Sequence, residues 1–365
     1  MDEALKALLL LCGANLSAKS WSAFQGAELP PRALWQAGYD ELGAEVFTEN
    51  ACARVRELAA SGWAEREYEA CGRIGVRLIA YGADDYPARL CDLSDPPAVL
   101  YWDGLVPPPA ARTVGAVGTR RASQYGLRVA KGLGSECARH GAVLISGGAL
   151  GIDGAAHSGA CSSGGVTLAV LGTGIDIIFP PQNRLLFDEI RHCGALVSEF
   201  PLGSRGEPWR FPKRNRVVAA LSERLVVVEA PAKSGAMITA RLALELGREV
   251  WAAPGHITDY SAEGSNRLIF DGAYPYISHS AFFFDAEGGG ELAEEGAESA
   301  SELIKSMSPE EASVISALRG SGGKTVDNIA LEVKMSAADV LKTIAVLLAK
   351  GAVFSSGPGR YSAKV

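Results

Sequence analysis

Between residues 113 and 253 short apolar runs alternate with stretches of helical period. The runs are TVGAV, AVLIS, VTLAVL, ALVSEF, RLVVVEA and EVWAA, and helical segments such as 125–140 and 236–246 separate them. Short apolar runs interleaved with helices predict a parallel, doubly wound α/β sheet. Ahead of this region the apolar positions Leu5, Leu8, Leu9 and Cys12 fall at helical spacing, and Ser17, Pro30 and Gly38 punctuate the chain, so residues 1–82 read as a small helical domain with no visible chemistry. Near the C-terminus, helices are expected at 309–318, 325–333 and 336–348. Two short strands, AVFSS and RYSAKV, follow around Gly357–Pro358–Gly359, which is the order of a winged helix.

Charge sharpens these boundaries. The whole chain of 365 residues carries a formal net charge of −7, but residues 285–302 hold seven acids and no base, whereas 83–284 hold nineteen of each sign. The acidic, Gly-rich stretch reads as a linker. The expected domains are therefore 1–82, a core at 83–284, the linker at 285–302 and a winged helix at 303–365. No run approaches the roughly 18 apolar residues of a membrane span. The apolar start is preceded by Asp2 and Glu3 rather than by bases, so neither a membrane nor a secretory role is expected. The seven cysteines are scattered without a CxxC pair, which suits a reducing cytoplasm and indicates no metal centre.

In an open α/β sheet, ligands bind beyond the carboxyl ends of the strands. The segments there are GTRR (118–121), SGGALGID (146–153), GTGID (172–176), a loop over 201–216 and EAPAKSGAMITA (229–240). Gly147, Gly148 and Gly151 let backbone N–H groups approach an anion at the helix opening near Asp153, and Lys233, Ser234 and Gly235 open another helix similarly. Arg120, Arg214, Arg216 and Lys233 add charge along one edge. An aspartate at a helix start, as Asp153 is, more often caps its helix than binds a ligand, and His157, beside Ala155 and Ala156, reads as a packed side chain rather than a catalytic one.

The stretch GEPWRFPKRNR concentrates four bases and two aromatic rings in an acidic chain. Cations for phosphates and flat rings for bases are the ingredients of a single-strand binder. Two look-alikes fail: GTGIDI lacks the third glycine of a dinucleotide fingerprint, and GSGGKT (320–325) has Leu318 where a phosphate loop needs its first glycine. No nucleophile elbow or HExxH occurs, although Glu199, Glu229 and Asp153 leave an acid/base pair open.

Taken in order, VGTRRASQYG (117–126), ISGGALGIDGAAH (145–157), FPPQNRLLFDEI (179–190), SEFPLG (198–203), WRFPKRNRVVAALS (209–222), VVEAPAKSGAMITA (227–240) and PGHITDYSAEGSNRLIFDGA (254–273) closely resemble the DprA/Smf family of DNA-processing proteins. The resemblance spans residues 80–280, and DPPAVLYWDG (95–104) is similar to the family's entry into its core. It implies an extended Rossmann-like fold, with the helical start (SAM-like) and winged-helix end as accessory domains. It also implies a cytoplasmic, non-enzymatic protein without cofactor that binds single-stranded DNA, dimerises through its core and loads the RecA recombinase in natural transformation. By motif, the family's DNA contacts fall on Gly118, Thr119 and Arg120; on Ser146, Gly147, Gly148, Gly151 and Asp153; on Asn183 and Arg184; on Arg210, Phe211, Lys213, Arg214, Asn215 and Arg216; and on Lys233, Ser234 and Gly235. The chain departs from the family at Ala220, where a glycine is usual, and at Pro208, where many members carry a lysine. The alternatives are a nucleoside-monophosphate glycosidase, whose PGGxGT loop is missing, and a duplex-DNA regulator acting through residues 303–365.

Overall fold

The apolar runs become strands buried on both faces, as a sheet covered by helices on either side requires. In the computed structural model, which describes residues 1–16, 18–26, 30–36, 48–284, 308–318, 324–349, 352–357 and 360–363, β3 (Thr113–Val117), β4 (Val143–Ser146), β5 (Thr167–Leu171), β6 (Ala195–Ser198), β7 (Arg224–Val227) and β8 (Glu249–Ala252) are the six expected strands. Their neighbours pair in parallel. Three more strands join them: β1 (Arg77–Ala80), β2 (Val99–Gly104) and β9 (Tyr274–Pro275). The order is β1-β2-β6-β5-β4-β3-β7-β8-β9, with β1 and β2 antiparallel at one edge. The fold is thus α/β with a large, mostly parallel sheet. From β3 the chain winds outward through β4, β5 and β6, then returns to place β7 on β3's other side, so the topological switch point lies between β3 and β7.

Helices α1 (Glu3–Gly13), α2 (Ala18–Gly26), α3 (Ala33–Gln36), α4 (Glu49–Ala60) and α5 (Trp63–Arg73) form the expected helical start. Asp2 caps α1 by accepting the Leu5 N–H at 2.7 Å. Leu8 to Leu11 are all buried, so α1 is apolar around its circumference rather than on one stripe. The reason is its position: the cluster holding these leucines also contains Val99 and Tyr101 of β2 and Leu196 of β6. The helical segment and the sheet accordingly make one compact unit, Met1–Asp285. This corrects the reading of residues 1–82 as wholly helical, because β1 lies inside that segment and pairs with β2.

Around the sheet lie α6 (Gln124–Arg139), α7 (Ile152–Ser162), α8 (Arg184–Cys193), α9 (Arg210–Leu221), α10 (Gly235–Glu245), α11 (Glu263–Phe270) and α12 (His279–Phe284). A second correction concerns α9: the FPKRNR segment is helical, where a loop over 201–216 was expected. Its proline sits at the third helical position, where the N–H has no intrahelical acceptor to lose.

The second unit, Ala286–Val365, holds α13 (Pro309–Leu318), α14 (Val326–Val333) and α15 (Ala337–Ala349) with a three-stranded sheet in the order β10 (Lys324–Thr325), β12 (Arg360–Ala363), β11 (Val353–Gly357). Helix positions match the periodicity to within a residue or two. Strand β10 was not anticipated, because two residues carry no period. It takes up the end of GSGGKT, where Lys324 Nζ bonds the Ala317 carbonyl at 2.6 Å. The acidic linker lies outside the described residues. Among those described, no helix is long and apolar enough to cross a membrane.

Candidate nucleic-acid interface

The segments after β3, β4 and β7 meet at the switch point, and the start of α9 closes over them. Together they line a cavity of about 660 Å³. Glycines make the approach possible. A Cβ on Gly118 would lie 2.4 Å from Ile152, and one on Gly147 would lie 2.5 Å from Arg214 Nη2. Gly151, with φ +79°, turns the chain into α7 and sits against the Thr119 carbonyl. Thr119 stitches the loops together: its N–H donates to Glu229 O at 2.6 Å, and its carbonyl accepts from Ile152 N at 3.2 Å.

Ten of the expected residues line this cavity: Gly118, Thr119, Arg120, Gly147, Asp153, Phe211, Arg214, Asn215, Ser234 and Gly235. Arg120 is exposed at the mouth, with its guanidinium 5.4 Å from the centre of the Phe211 ring. Phe211 is half-buried, 5.5 Å from Phe179, in space that a side chain on Gly172 would fill. Asn215 joins two elements, accepting from Arg214 Nε and donating to Gly235 O, each at 3.3 Å. Ser234 starts α10 with its hydroxyl buried and free of a hydrogen-bond partner. The starts of α7 and α10 therefore bring N-terminal helix dipoles, which favour anions, to the same rim.

Arg214 differs from the exposed cation that its sequence position suggested. It is buried, and Nη1 donates to the Gly147 and Val170 carbonyls, so it ties the glycine loop to β5 from below. Burial lowers its pKa to about 10, and enclosure raises that of Asp153, whose carboxylate accepts the Ala149 N–H at 3.3 Å. Asp153 thus holds the loop that precedes its helix, while Gly151 occupies the cap. With Arg120 and Arg121 added, three arginines face this one acid in the lining.

The other nine expected residues lie elsewhere. Ser146 is buried and donates to Ala116 O at 2.6 Å, and Gly148, also buried, packs against Phe187. Gly151 serves the turn into α7. Asn183 donates to the Gly148 and Ala149 carbonyls at 3.0 and 3.2 Å, bracing the glycine loop from behind, and Arg184 is exposed at the start of α8. Lys233 is exposed beside Ser234 without entering the lining. Arg210, Lys213 and Arg216 point to the opposite face of α9, where Arg216 is buried against Glu199. The expectation of Arg216 on the same positive edge as Arg120 is therefore corrected, since a helix, unlike a loop, sends successive basic residues to different faces.

The carboxylates left open for acid/base work do not converge. Glu229 accepts from Ser123 N, Ser123 Oγ and Ser261 Oγ at 2.9, 3.1 and 2.5 Å, and Glu199 lies on the far side of α9, paired with Arg216. His157 is fully buried against Thr167 Oγ1 at 2.7 Å, and burial lowers its pKa to about 3, so it packs. Sequence reasoning missed Arg121, Pro212, Ile238 and Thr239 in the lining. The last two sit three and four residues past Gly235, a spacing that points back to the same helix face.

A doubly wound sheet with a basic, glycine-lined cleft at its switch point has the layout in which open α/β sheets bind ligands. Residues 77–286 match the family model described as DNA recombination-mediator protein A. A DprA-type protein of Mycobacterium tuberculosis is 36% identical over 364 residues, covering 92% of each chain. Protein Smf of Synechocystis is 42% identical over 200 residues, 54% of this chain and 50% of that one, so the chain spans about half the length of that relative. The X-ray structure of Streptococcus pneumoniae DprA superposes with a TM-score of 0.67 at 28% identity over 76% of this chain and 95% of its own. A Helicobacter pylori DprA structure, whose description concerns its single-stranded DNA binding mode, gives 0.52 at 29% over 57% and 95%. The chain belongs to the DNA recombination-mediator protein A (DprA/Smf) family.

Proposed function

We propose that the switch-point cavity binds single-stranded DNA and that the protein passes that strand to the RecA recombinase in the cytoplasm, in natural transformation and homologous recombination. The observation that carries the strand reading is the pairing of Arg120 with Phe211 at the cavity mouth, a cation and a ring set side by side above a glycine loop. Phosphates meet Arg120 and the helix starts, and a base meets the ring, without a sequence code. Duplex DNA keeps its bases stacked inside and offers the ring no face. Action by binding rather than catalysis fits Asp153, the one carboxylate in the lining, which is enclosed and occupied by the loop.

A homodimer through the core is supported by the exposed apolar side chains that follow β8, since Ile257, Tyr260, Phe270, Tyr274 of the edge strand β9 and Ile277 are 52% to 92% exposed. Apolar side chains clustered at a short edge strand are the ordinary mark of an interface. A gel-shift comparison of the full chain with single-stranded and duplex DNA of equal length tests the strand reading; equal affinity for both would overturn it. Filament assembly by RecA on a strand already coated with single-strand-binding protein tests the hand-over.

A further inference from the structure

The face of α9 turned away from this cavity carries chemistry that strand binding leaves unused. Trp209, Arg210, Lys213 and Arg216 line a second cavity of about 150 Å³ with Asn15 and Glu199. Three cations and one carboxylate share its walls. Arg216 is 7% exposed and pairs with Glu199 through Nη2, yet its Nη1 has no hydrogen-bond partner. Neither do Nε and Nη1 of Arg210, nor Oε1 of Glu199. Lys213 Nζ bonds Asn15 Oδ1 at 2.6 Å. Two partly exposed acids lie outside the lining, Asp95 at 3.3 Å from Arg216 Nε and Glu207 at 3.5 Å from Arg210 Nη2.

An unpaired guanidinium donor is among the costliest groups to bury, and Arg216 and Arg210, the latter also over the Phe200 and Trp209 rings at 4.9 and 5.0 Å, leave such donors in the wall of this cavity. The space exceeds the roughly 30 Å³ share of a single water. Donors from two guanidiniums beside an ammonium suit a compact oxyanion. The unpaired Glu199 oxygen adds a restriction, for it repels an anion unless a proton lies between them.

We propose that this cavity is an oxyanion site for a phosphate group that can carry a proton, either free inorganic phosphate or the terminal phosphate of a DNA strand. An internal phosphodiester has no such proton at neutral pH, so the site distinguishes a strand end, or a free ion, from the backbone. The proposal does not depend on the strand reading of the first cavity.

The test is a titration of the full chain with inorganic phosphate at constant ionic strength, followed by the fluorescence of Trp209 with Trp209→Phe as the blank. A saturable signal is expected, at least about tenfold weaker with sulfate, which presents no proton to Glu199. Lys213→Gln and Arg210→Gln should each weaken phosphate at least about tenfold while unfolding as cooperatively as the parent, and Glu199→Gln should erase the preference over sulfate. Competition by 5′-phosphorylated but not 5′-hydroxyl oligothymidine identifies the strand end as the source, whereas competition by neither identifies the free ion. No saturable signal, equal response to phosphate and sulfate, or affinity unchanged in both α9 variants would overturn the site. So would a response that disappears with Arg120→Ala, since it would place the ion in the first cavity.

Discussion

Replacing Phe211 by alanine separates two roles that the structure gives one ring. Phe211 touches Phe179, covers Gly172 and lies beneath Arg120, but it is only half-buried. A fully buried Phe→Ala change costs about 3–5 kcal/mol, so half that burial predicts a loss of roughly 1.5–2.5 kcal/mol in stability. In a unit of this size that lowers the melting temperature by roughly 3–10 °C. The ring also lines the cavity, and losing a stacking platform there costs about 1–3 kcal/mol of strand affinity. That is a factor of roughly 5 to 150 in Kd. No charge is removed, so the slope of log K against log salt should stay as in the parent. Phe211→Leu refines the experiment by restoring most of the packing without a flat ring. It should melt near the parent and still bind weakly. The assay is fluorescence anisotropy with labelled oligothymidine across a salt series, with melting measured on the same samples. A stable Phe211→Leu protein with parental affinity would refute stacking and leave the ring only its inward role.

Four further outcomes follow from the same geometry. Arg120→Ala should make the salt slope shallower by about 0.7, the single-strand contribution of one neutralised phosphate; an unaltered slope removes Arg120 from the contact surface. Gly147→Ala should cost roughly 1–3 kcal/mol by overpacking, because its Cβ would press on Arg214 Nη2, and an unchanged melting temperature would refute that placement. The Asp153 carboxyl is held protonated to higher pH when folded than when unfolded, so its contribution to stability is fully present below the ordinary carboxylate range and is lost as pH rises through its folded pKa. Asp153→Asn should therefore flatten the decline in unfolding free energy as pH rises above the ordinary carboxylate range, read from denaturant melts at a series of pH values; an identical decline in both proteins would contradict it. Finally, residues 1–285 should retain parental strand affinity in a gel shift, whereas a fragment beginning at residue 83 should lose cooperative unfolding, because it lacks β1 and uncovers Val99 and Tyr101.

The amino-acid order by itself determined the central sheet and the places where chemistry gathers. Runs such as LAVL (168–171) and LVVV (225–228) are apolar at every position, which only a strand covered on both faces tolerates, and the glycines after β3 and β4 mark backbones that must pass close to other groups. Those signals are local, so they survive in one dimension. What tertiary structure decided is which way each side chain of GEPWRFPKRNR points. Six residues of FPKRNR read alike as a basic segment, but at about 100° per residue a helix sends Phe211 and Arg214 to the switch point and Lys213 and Arg216 to the far side. Burial then changed their characters: Arg214 became a brace beneath the glycine loop and Arg216 the partner of Glu199. Strands β1 and β9 were equally hidden in the sequence, since four and two residues are too few to show a period, and their pairing comes from partners 19 residues or more away along the chain. The boundary after the helical start was hidden for the same reason: α1 is apolar all round because the sheet covers one side of it, and no local pattern says what lies on the other side of a leucine.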